Sequence, residues 1–168
     1  MNIKKDKLKK IKMLILDVDG VLTDGSITYD KEGNNLISFN VHDGYGINFA
    51  LANGLNVGII TGRKSEAVKH RIKDLGIKDF FNGAIDKVTP YEKIKQKYNL
   101  SDDEIAYIGD DILDIPVLQR VGLPIVTKNA RIETKKYAKY ITQEKGGNGA
   151  VREVIDMILN AKNIIQDK

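Results

Sequence analysis

The chain has 168 residues, of which 42% are hydrophobic, and carries a formal net charge of +4. This length and apolar content are typical of one domain with a full-sized core, which we place over residues 1–168. The sequence contains no cysteine. This excludes disulfides, thiolate catalysis and zinc–thiolate sites and agrees with a cytoplasmic location.

Residues 1–12 form a lysine-rich N-terminal extension. It contains Lys4, Lys5, Lys7, Lys9, Lys10 and Lys12. Runs of this kind contact nucleic acid or anionic lipid, but no aromatic residues are interleaved with these lysines, as single-strand binding favours. We therefore predict a solvated tail, with neither nucleic acid nor a membrane as partner. The apolar run that follows is too short for a signal peptide, and no stretch approaches the roughly 20 apolar residues of a transmembrane helix.

The first predicted strand is the apolar run Met13–Leu16, which leads directly into Asp17 and Asp19. A short apolar run with polar ends is typical of a strand buried on both faces of a parallel sheet. Residues two positions apart in an extended segment point the same way, so both carboxylates should converge on one volume. A hard divalent cation such as Mg²⁺ would offset their repulsion. By itself, an acid pair at a strand end equally suits a turn or helix cap.

A β-hairpin is predicted over residues 26–40, where two β-prone runs flank a turn rich in glycine and asparagine. It would project beside the acid pair as a flap. A helix over residues 43–53 follows, with Asp43 as its N-cap. The second buried strand, residues 57–60, ends in Thr61, Gly62 and Arg63.

The later elements continue to alternate between strands and helices. Ser65 is expected to cap a helix that ends at Leu75, and Thr89 is expected to cap a helix that follows Lys87 and runs to residue 98. Ser101 and Glu104 form a predicted capping box. The remaining elements are a strand over 105–108, a helix over 112–121, a strand over 123–126, a helix over 131–138, an edge strand at 140–141 and a helix over 150–165. This alternation predicts an α/β fold with a doubly wound, mainly parallel sheet.

The strand over 105–108 leads into Asp110 and Asp111, so three predicted strands end in polar residues. If these strands are parallel neighbours, their ends meet at one edge of the sheet. The polar residues at these strand ends suit phosphoryl transfer through a carboxylate. Asp17 would be the nucleophile, and Asp19 would be the general acid and base. Asp17, the main-chain carbonyl of Asp19, and Asp110 would bind Mg²⁺. Thr61 would donate a hydrogen bond to the phosphate, and Lys87 would offset the charge on its oxygens.

Each of these residues also has an ordinary structural explanation. Thr61 suits a strand end, Lys87 suits a solvated surface, and Asp110 and Asp111 suit the N-terminus of a helix. Asp114 could cap the same helix or hold a metal-bound water behind the direct ligands. Their occurrence together and in this order favours the catalytic interpretation.

The order of these residues resembles the four motifs of the haloacid dehalogenase (HAD) phosphohydrolases. The motifs are Asp17-Val18-Asp19, Thr61-Gly62-Arg63, Lys87, and Gly109-Asp110-Asp111-Ile112-Leu113-Asp114. The resemblance covers residues 13–158 and is closest to the small capless branch that contains the 3-deoxy-D-manno-octulosonate 8-phosphate (KDO-8-P) phosphatase family. The supporting strings are Gly20-Val21-Leu22-Thr23-Asp24, Asn40-Val41-His42-Asp43-Gly44, Val121-Gly122-Leu123 and Gly146-Gly147-Asn148-Gly149-Ala150-Val151-Arg152-Glu153.

The resemblance implies a HAD-like Rossmannoid domain without a cap, a Mg²⁺ cofactor, and hydrolysis of KDO-8-P in lipopolysaccharide biosynthesis. It also implies a homotetramer in which hairpins pair between subunits and a neighbour helps to close each site. Phosphate and substrate would contact Thr61, Gly62, Arg63 and Lys87.

Two positions bear on the substrate. Arg63 would hold the sugar-acid carboxylate or the phosphate, and it favours the eight-carbon substrate because relatives that act on the nine-carbon acid tend to carry an acid there. Asn148 departs from the arginine of the family's Gly-Gly-Arg-Gly tail, which puts affinity or substrate choice in question.

Other functions remain open at this point. The same chemistry would serve a nonulosonate 9-phosphate or a broad range of sugar phosphates. A phospho-acceptor signalling domain also clusters aspartates and a lysine at a sheet edge, but its acceptor normally lies on a later strand. In this sequence Asp19, two residues after the presumed nucleophile Asp17, would instead speed hydrolysis of the aspartyl-phosphate. His42 is expected to be a hydrogen-bonded loop residue, because Asp19 already fills the role of base.

Overall fold

The computed structural model describes residues 3–165; residues 1–2 of the predicted extension and residues 166–168 lie outside this range. The strands are β1 Met13–Leu16, β2 Thr28–Tyr29, β3 Asn35–Leu36, β4 Asn56–Thr61, β5 Asp79–Asn82, β6 Ile105–Gly109, β7 Leu123–Val126 and β8 Tyr140–Ile141. The helices are α1 Lys5–Lys10, α2 Val41–Ala52, α3 Glu66–Asp74, α4 Val88–Lys97, α5 Ile115–Leu118, α6 Ile132–Lys135 and α7 Ala150–Ala161. Single 3₁₀ turns occupy Asp102–Glu104 and Ile112–Asp114.

Six strands form one parallel sheet in the order β5-β4-β1-β6-β7-β8, while β2 and β3 pair separately as an antiparallel hairpin. From β1, the chain first adds β4 and β5 on one side of the sheet. It then adds β6, β7 and β8 on the other side, so the strand order reverses at β1. Leu16, the last residue of β1, pairs with Ile59 of β4 and Ile108 of β6. The carboxyl ends of these three strands therefore lie side by side, where ligands bind in such sheets.

Both faces of the sheet are covered, which explains why β1 is an unbroken apolar run. Leu14 and Leu16 pack into the core beneath α1, α2, α3 and α7, whereas Met13 and Ile15 pack into the core beneath α4 and α5. This alternation follows the two-residue period of a strand. The predicted doubly wound parallel fold is confirmed.

The N-terminal extension is not the solvated tail that its charge predicted. Residues 5–10 form α1, and Leu8 and Ile11 are buried in the same core as α7. Two apolar residues three positions apart are enough to give this short helix a buried side. The charged side chains lie outside: Lys4, Lys5, Lys9, Lys10 and Lys12 are exposed.

Two helices begin earlier than predicted because other side chains cap them. The side chain of Asn40, not Asp43, accepts the N–H groups of His42 and Asp43 at the start of α2. Helix α4 begins before Thr89, because the side chain of Asp86 accepts the Val88 N–H and the Thr89 hydroxyl. The predicted cap at Ser65 is confirmed, since its hydroxyl accepts the Val68 N–H.

Three predicted helices are shorter in the structure. Helix α7 keeps its predicted buried stripe but ends at Ala161, because Asn163 is left-handed (φ 59°) and the Ile164 N–H donates to the Leu159 carbonyl. This is the Schellman arrangement that closes a helix. The helix predicted over 112–121 is a 3₁₀ turn followed by α5, and the one predicted over 131–138 is reduced to α6.

The predicted hairpin is present, with Thr28 opposite Leu36 and Tyr29 opposite Asn35. Asp30 holds its turn by accepting main-chain N–H groups from residues 32 and 34. Tyr29 and Leu36 are largely exposed. No helix within residues 3–165 combines the length and apolar character that crossing a membrane requires.

Candidate active site

A cavity of about 350 Å³ opens at the carboxyl edge of the sheet, where β1, β4 and β6 end. The structure brings all of the sequence-predicted site residues into its lining. The lining comprises Asp17, Asp19, Gly20, Gly25, Thr61, Gly62, Arg63, Ile85, Lys87, Asp110, Asp111, Leu113 and Asp114. His42 and Asn148 are exposed and lie outside this lining.

A buried ionic network occupies the floor of the cavity. The Lys87 amino group lies 2.9 Å from Asp17 Oδ2 and 2.6 Å from Asp114 Oδ1. The Tyr107 hydroxyl donates to the same Asp114 oxygen at 2.5 Å. Lys87 is therefore not a solvated surface lysine, and its buried charge is paired, as burial of a charge requires. Burial opposes a charged amino group, but Asp17 and Asp114 outweigh this effect and raise the pKa of Lys87.

Asp114 positions the loop after β6. Its second oxygen accepts the main-chain N–H groups of Asp110 at 2.8 Å and Asp111 at 3.1 Å. With Lys87 and Tyr107 on the first oxygen, both oxygens of Asp114 are engaged by protein donors. The sequence left open whether Asp114 caps a helix or holds a metal-bound water. The structure shows that it binds the loop that carries Asp110.

The donor set fits a hard divalent cation. Asp17, Asp110 and Asp114 each place one carboxylate oxygen within 4.8 Å of the others. Because protein donors occupy Asp114, Asp17 and Asp110 are the two side chains suited to hold the ion. Oxygen ligands of this kind are those that Mg²⁺ prefers.

The carboxylates of Asp17 and Asp110 are raised in pKa. Burial, together with Asp114, raises the pKa of Asp17 to about 7 against the opposing effect of Lys87. Burial, followed by the charges of Asp17 and Asp114, raises the pKa of Asp110 to about 8. A bound cation would favour the ionised form of both groups, because it supplies the missing opposite charge.

The loop after β1 is shaped so that Asp110 can approach it. Gly20 has φ +77°, and a Cβ there would overlap the Asp110 carboxylate. The Thr23 hydroxyl accepts the N–H groups of Gly20 and Gly25, and the Thr127 hydroxyl donates to the Gly20 carbonyl. This position needs glycine for both its backbone conformation and its close contact.

The glycine-rich tail packs against the same loop. A Cβ on Gly146 would overlap the Gly20 carbonyl, and the Gly147 N–H donates to the Val21 carbonyl at 2.9 Å. Asp43 anchors the helix after the tail, because its buried carboxylate accepts the N–H groups of Gly149 and Arg152. The tail is therefore held between the start of α7 and the loop that follows Asp19.

The outer part of the cavity holds Asp19 and Arg63, both half-buried. Arg63 Nη1 lies 3.5 Å from Asp19 Oδ1, a contact that the sequence did not predict. Thr61 lies deeper and is buried at the end of β4. Its carbonyl accepts the N–H groups of Gly83 and Ala84, which ties the loop carrying Lys87 to this strand.

Three residues of this region were missed in the sequence. Tyr107 lies within the buried strand β6, and a tyrosine hydroxyl in a buried strand signals that a polar partner is nearby. Ile85 and Leu113 line the cavity as exposed apolar side chains. Leu113 lies within the fourth motif but was given no role there, and no local sequence pattern distinguishes Ile85 from an ordinary surface position.

Comparisons with known proteins agree with the fold. A family model described as haloacid dehalogenase-like hydrolase matches residues 78–155. The chain is 42% identical over 161 residues to the 3-deoxy-D-manno-octulosonate 8-phosphate phosphatase of Escherichia coli, which covers 96% of this chain and 86% of that protein.

Solved structures show the same similarity. The crystal structure of 3-deoxy-D-manno-octulosonate 8-phosphate phosphatase from Yersinia pestis matches with a TM-score of 0.93 and 40% identity, covering 95% of this chain and 86% of the other. The structure of the phosphatase of the same name from Moraxella catarrhalis, in complex with magnesium ion, phosphate ion and KDO, matches with a TM-score of 0.91 and 40% identity. That match covers 95% of this chain and 92% of the other.

Proposed function

The chain belongs to the haloacid dehalogenase-like hydrolases, and from this premise we propose that it is a Mg²⁺-dependent phosphatase that hydrolyses KDO-8-P to KDO and phosphate. The relatives of this name cover nearly the whole chain at about 40% identity. The observation that carries the proposal is the buried Lys87, which joins Asp17 to Asp114 at the floor of the cavity. Such a lysine offsets charge where a phosphate must approach carboxylates.

In the first step, Asp17 attacks phosphorus and the bond between phosphorus and the ester oxygen breaks. Asp19 gives its proton to that oxygen, and the sugar acid leaves while the phosphoryl group stays on Asp17. Lys87 holds Asp17 Oδ2 and thereby leaves the other oxygen of Asp17 for attack. The contact of Arg63 with Asp19 orients the Asp19 carboxylate within the cavity.

In the second step, water attacks the phosphoryl group on Asp17 and Asp19 takes the proton of that water. Asp17 is thereby released as a carboxylate, and inorganic phosphate leaves. Thr61 and the main-chain N–H groups beside it donate hydrogen bonds to the phosphate oxygens. Asp17, Asp110 and the Asp19 carbonyl would hold Mg²⁺, and the bound ion would supply the positive charge that lets two anions approach each other.

The sugar-acid substrate is supported by Arg63 at the outer part of the cavity. A guanidinium group binds a carboxylate or a phosphate through two parallel hydrogen bonds. Asn148 is exposed in the tail and does not line the cavity. We also propose a cytoplasmic enzyme of lipopolysaccharide biosynthesis with neither nucleic acid nor membrane as a partner.

The assembly that we propose is a homotetramer in which the β2–β3 hairpins pair between subunits. Its support in this chain is the short hairpin itself, whose Tyr29 and Leu36 are largely exposed. A two-stranded hairpin of this size is marginal by itself and gains stability by packing against another element.

The test is phosphate release from KDO-8-P, a nonulosonate 9-phosphate and an aryl phosphate at matched concentrations, with Mg²⁺ and with EDTA. We expect a strong preference for KDO-8-P that EDTA abolishes. Equal slow rates on all three would leave a broad phosphatase and remove KDO-8-P as the substrate. Release from none of them would return the signalling function to consideration.

Asp17→Asn tests the nucleophile within the same assay. We expect turnover to fall by roughly 10³-fold or more while the fold is retained, since the amide is isosteric and uncharged. Far-ultraviolet circular dichroism and sedimentation would check the fold and assembly. Retained turnover would remove Asp17 as the nucleophile.

A further inference from the structure

Two large apolar side chains stand at the mouth of an otherwise polar cavity. Ile85 is 65% exposed and Leu113 is 49% exposed, yet both line the cavity that contains Asp17. Ile85 follows β5, two residues before Lys87, and Leu113 lies in the 3₁₀ turn directly before Asp114. Both are thus attached to the loops that build the reaction centre.

Gly62 lies beside both of these side chains. A Cβ on Gly62 would lie 3.8 Å from Ile85 Cδ1 and 3.9 Å from Leu113 Cδ1, which is ordinary van der Waals contact. Its φ is also not in the left-handed region. Neither backbone conformation nor crowding by protein atoms therefore requires glycine here. Its missing side chain leaves a slot with the Gly62 backbone as floor and Ile85 and Leu113 as walls.

The depth of the cavity decides which part of a substrate reaches this slot. Asp17, Thr61 and Lys87 are buried at the bottom, so a phosphoryl group must enter to that depth to meet Asp17. The organic part of a phosphomonoester must then lie further out in the cavity, which Arg63, Ile85 and Leu113 also line. A 3-deoxy sugar acid presents C–H groups and a methylene group on its chain, and these gain from contact with an apolar surface.

We propose that the slot between Ile85 and Leu113 holds the carbon chain of the sugar acid, which makes both side chains specificity-determining residues. The inference rests on the proposed function. It adds to that function the surface that contacts the sugar-acid part of the substrate. Contact with the slot also places the substrate relative to Lys87 and Asp114, because the walls share their loops.

The test compares KDO-8-P with acetyl phosphate, whose organic part is too short to fill the slot. In Ile85→Ser and in Leu113→Ser, we expect the ratio of kcat/KM for KDO-8-P to that for acetyl phosphate to fall about five- to tenfold, mainly through KM. The inhibition constant of the product KDO should rise by a similar factor. Ile112→Ser is the matched control, since Ile112 is 54% exposed beside Leu113 but does not line the cavity. The ratio should be unchanged in this variant.

The possible outcomes distinguish failure of the proposed role of the slot from failure of the proposed function. If the wild-type protein does not prefer KDO-8-P over acetyl phosphate, the proposed function fails and the slot fails with it. If the wild type has the preference and both serine variants keep it, the slot alone is overturned. An equal loss on both substrates would indicate displaced Lys87 or Asp114 and would also overturn the slot.

The assembly of the variants gives a further check. The exposed walls would also suit contact with a second subunit, and sedimentation velocity distinguishes this case. A change of oligomeric state in Ile85→Ser or Leu113→Ser, but not in Ile112→Ser, would assign the walls to a subunit interface and overturn the slot. We expect all three variants to sediment as the wild type does.

Discussion

Lys87 and Asp114 form an ion pair of 2.6 Å whose side chains are 3% and 0% exposed, although the residues stand 27 positions apart in the chain. The same amino group contacts Asp17, so one buried cation serves two buried carboxylates. Removing one partner of a buried ion pair leaves an uncompensated charge, which costs more than the pair itself contributes. This network should therefore govern both stability and turnover.

Replacing Lys87 tests the network directly. We expect Lys87→Met to lower the free energy of unfolding by about 3–5 kcal/mol, because Asp17 and Asp114 lose their shared cation in a buried site. Phosphate release should fall by roughly 10³-fold or more, since the charge on the phosphate loses its counterpart. Urea denaturation in EDTA and the phosphate-release assay measure the two effects.

Lys97→Met is the matched control for this substitution. Lys97 pairs with Asp79 at 2.7 Å, but its side chain is 52% exposed and lies outside the cavity. We expect a much smaller loss of stability than in Lys87→Met and unchanged turnover, because solvent screens the pair. Equal losses of stability in the two variants would contradict the importance assigned to burial.

The Tyr107 hydroxyl should matter for orientation more than for chemistry. Tyr107→Phe removes one donor from Asp114 but leaves Lys87 and two main-chain N–H groups in place. We expect a loss of about 1–2 kcal/mol in stability and a roughly three- to tenfold fall in kcat.

Tyr98→Phe provides the comparison for Tyr107→Phe. The Tyr98 hydroxyl donates to Asp79 at 2.5 Å, a similar bond remote from the cavity. We expect Tyr98→Phe to lower the free energy of unfolding while kcat stays at the wild-type value. If Tyr107→Phe also left kcat unchanged, Asp114 would not need the hydroxyl for its positioning role.

Gly20→Ala should weaken metal binding as well as the fold. Its φ of +77° is unfavourable for alanine, and the new methyl group would overlap Asp110. We expect a loss of about 1–2 kcal/mol from backbone strain. Displacement of Asp110 should add a roughly tenfold or larger rise in the Kd for Mg²⁺, measured by titration calorimetry.

Gly33→Ala isolates the backbone part of that effect. Gly33 has φ +83°, and a Cβ there would meet no atom within 4 Å. Its cost in stability should therefore be similar to the strain at Gly20, with no change in Mg²⁺ affinity. Equal Mg²⁺ affinity in both variants would show that the contact between Gly20 and Asp110 does not shape the metal site.

The raised pKa values of Asp17 and Asp110 predict how pH and Mg²⁺ act together. In EDTA, the native state retains protons that the unfolded state releases near its ordinary pKa of 3.8. Stability should therefore fall as pH rises from about 4 to the folded pKa values of about 7 and 8. Mg²⁺ needs both carboxylates ionised, so its apparent affinity should rise over pH 6 to 8 and then level off.

Thermal unfolding with EDTA and with Mg²⁺ at pH 6, 7, 8 and 9 measures this linkage. We expect the rise in Tm caused by Mg²⁺ to be larger at pH 8 than at pH 6. Asp110→Asn should reduce both the rise and its dependence on pH. The same Mg²⁺-induced rise at pH 6 and pH 8 in the wild type would contradict the raised pKa values.

The sequence by itself determined the central strands and the candidate site. A short apolar run with polar ends, such as Met13–Leu16, is typical of a strand covered on both faces, and parallel neighbours bring their carboxyl ends together. The acids after β1 and β6 and Thr61 at the end of β4 could therefore be assigned to one cavity before any contact was seen. The turn of the hairpin was also predictable from the sequence, because glycine and asparagine favour turns through their local backbone preferences.

Tertiary structure decided the features that depend on distant partners. Asp43 looked like a helix cap, but the N–H groups of α7 engage its carboxylate. The lysine-rich start became α1 because the core offered a place for Leu8 and Ile11. Packing also set the contacts of Asp114 and the slot over Gly62. Local sequence specifies periodicity and turn chemistry, whereas burial and pairing across the chain exist only once the elements have packed.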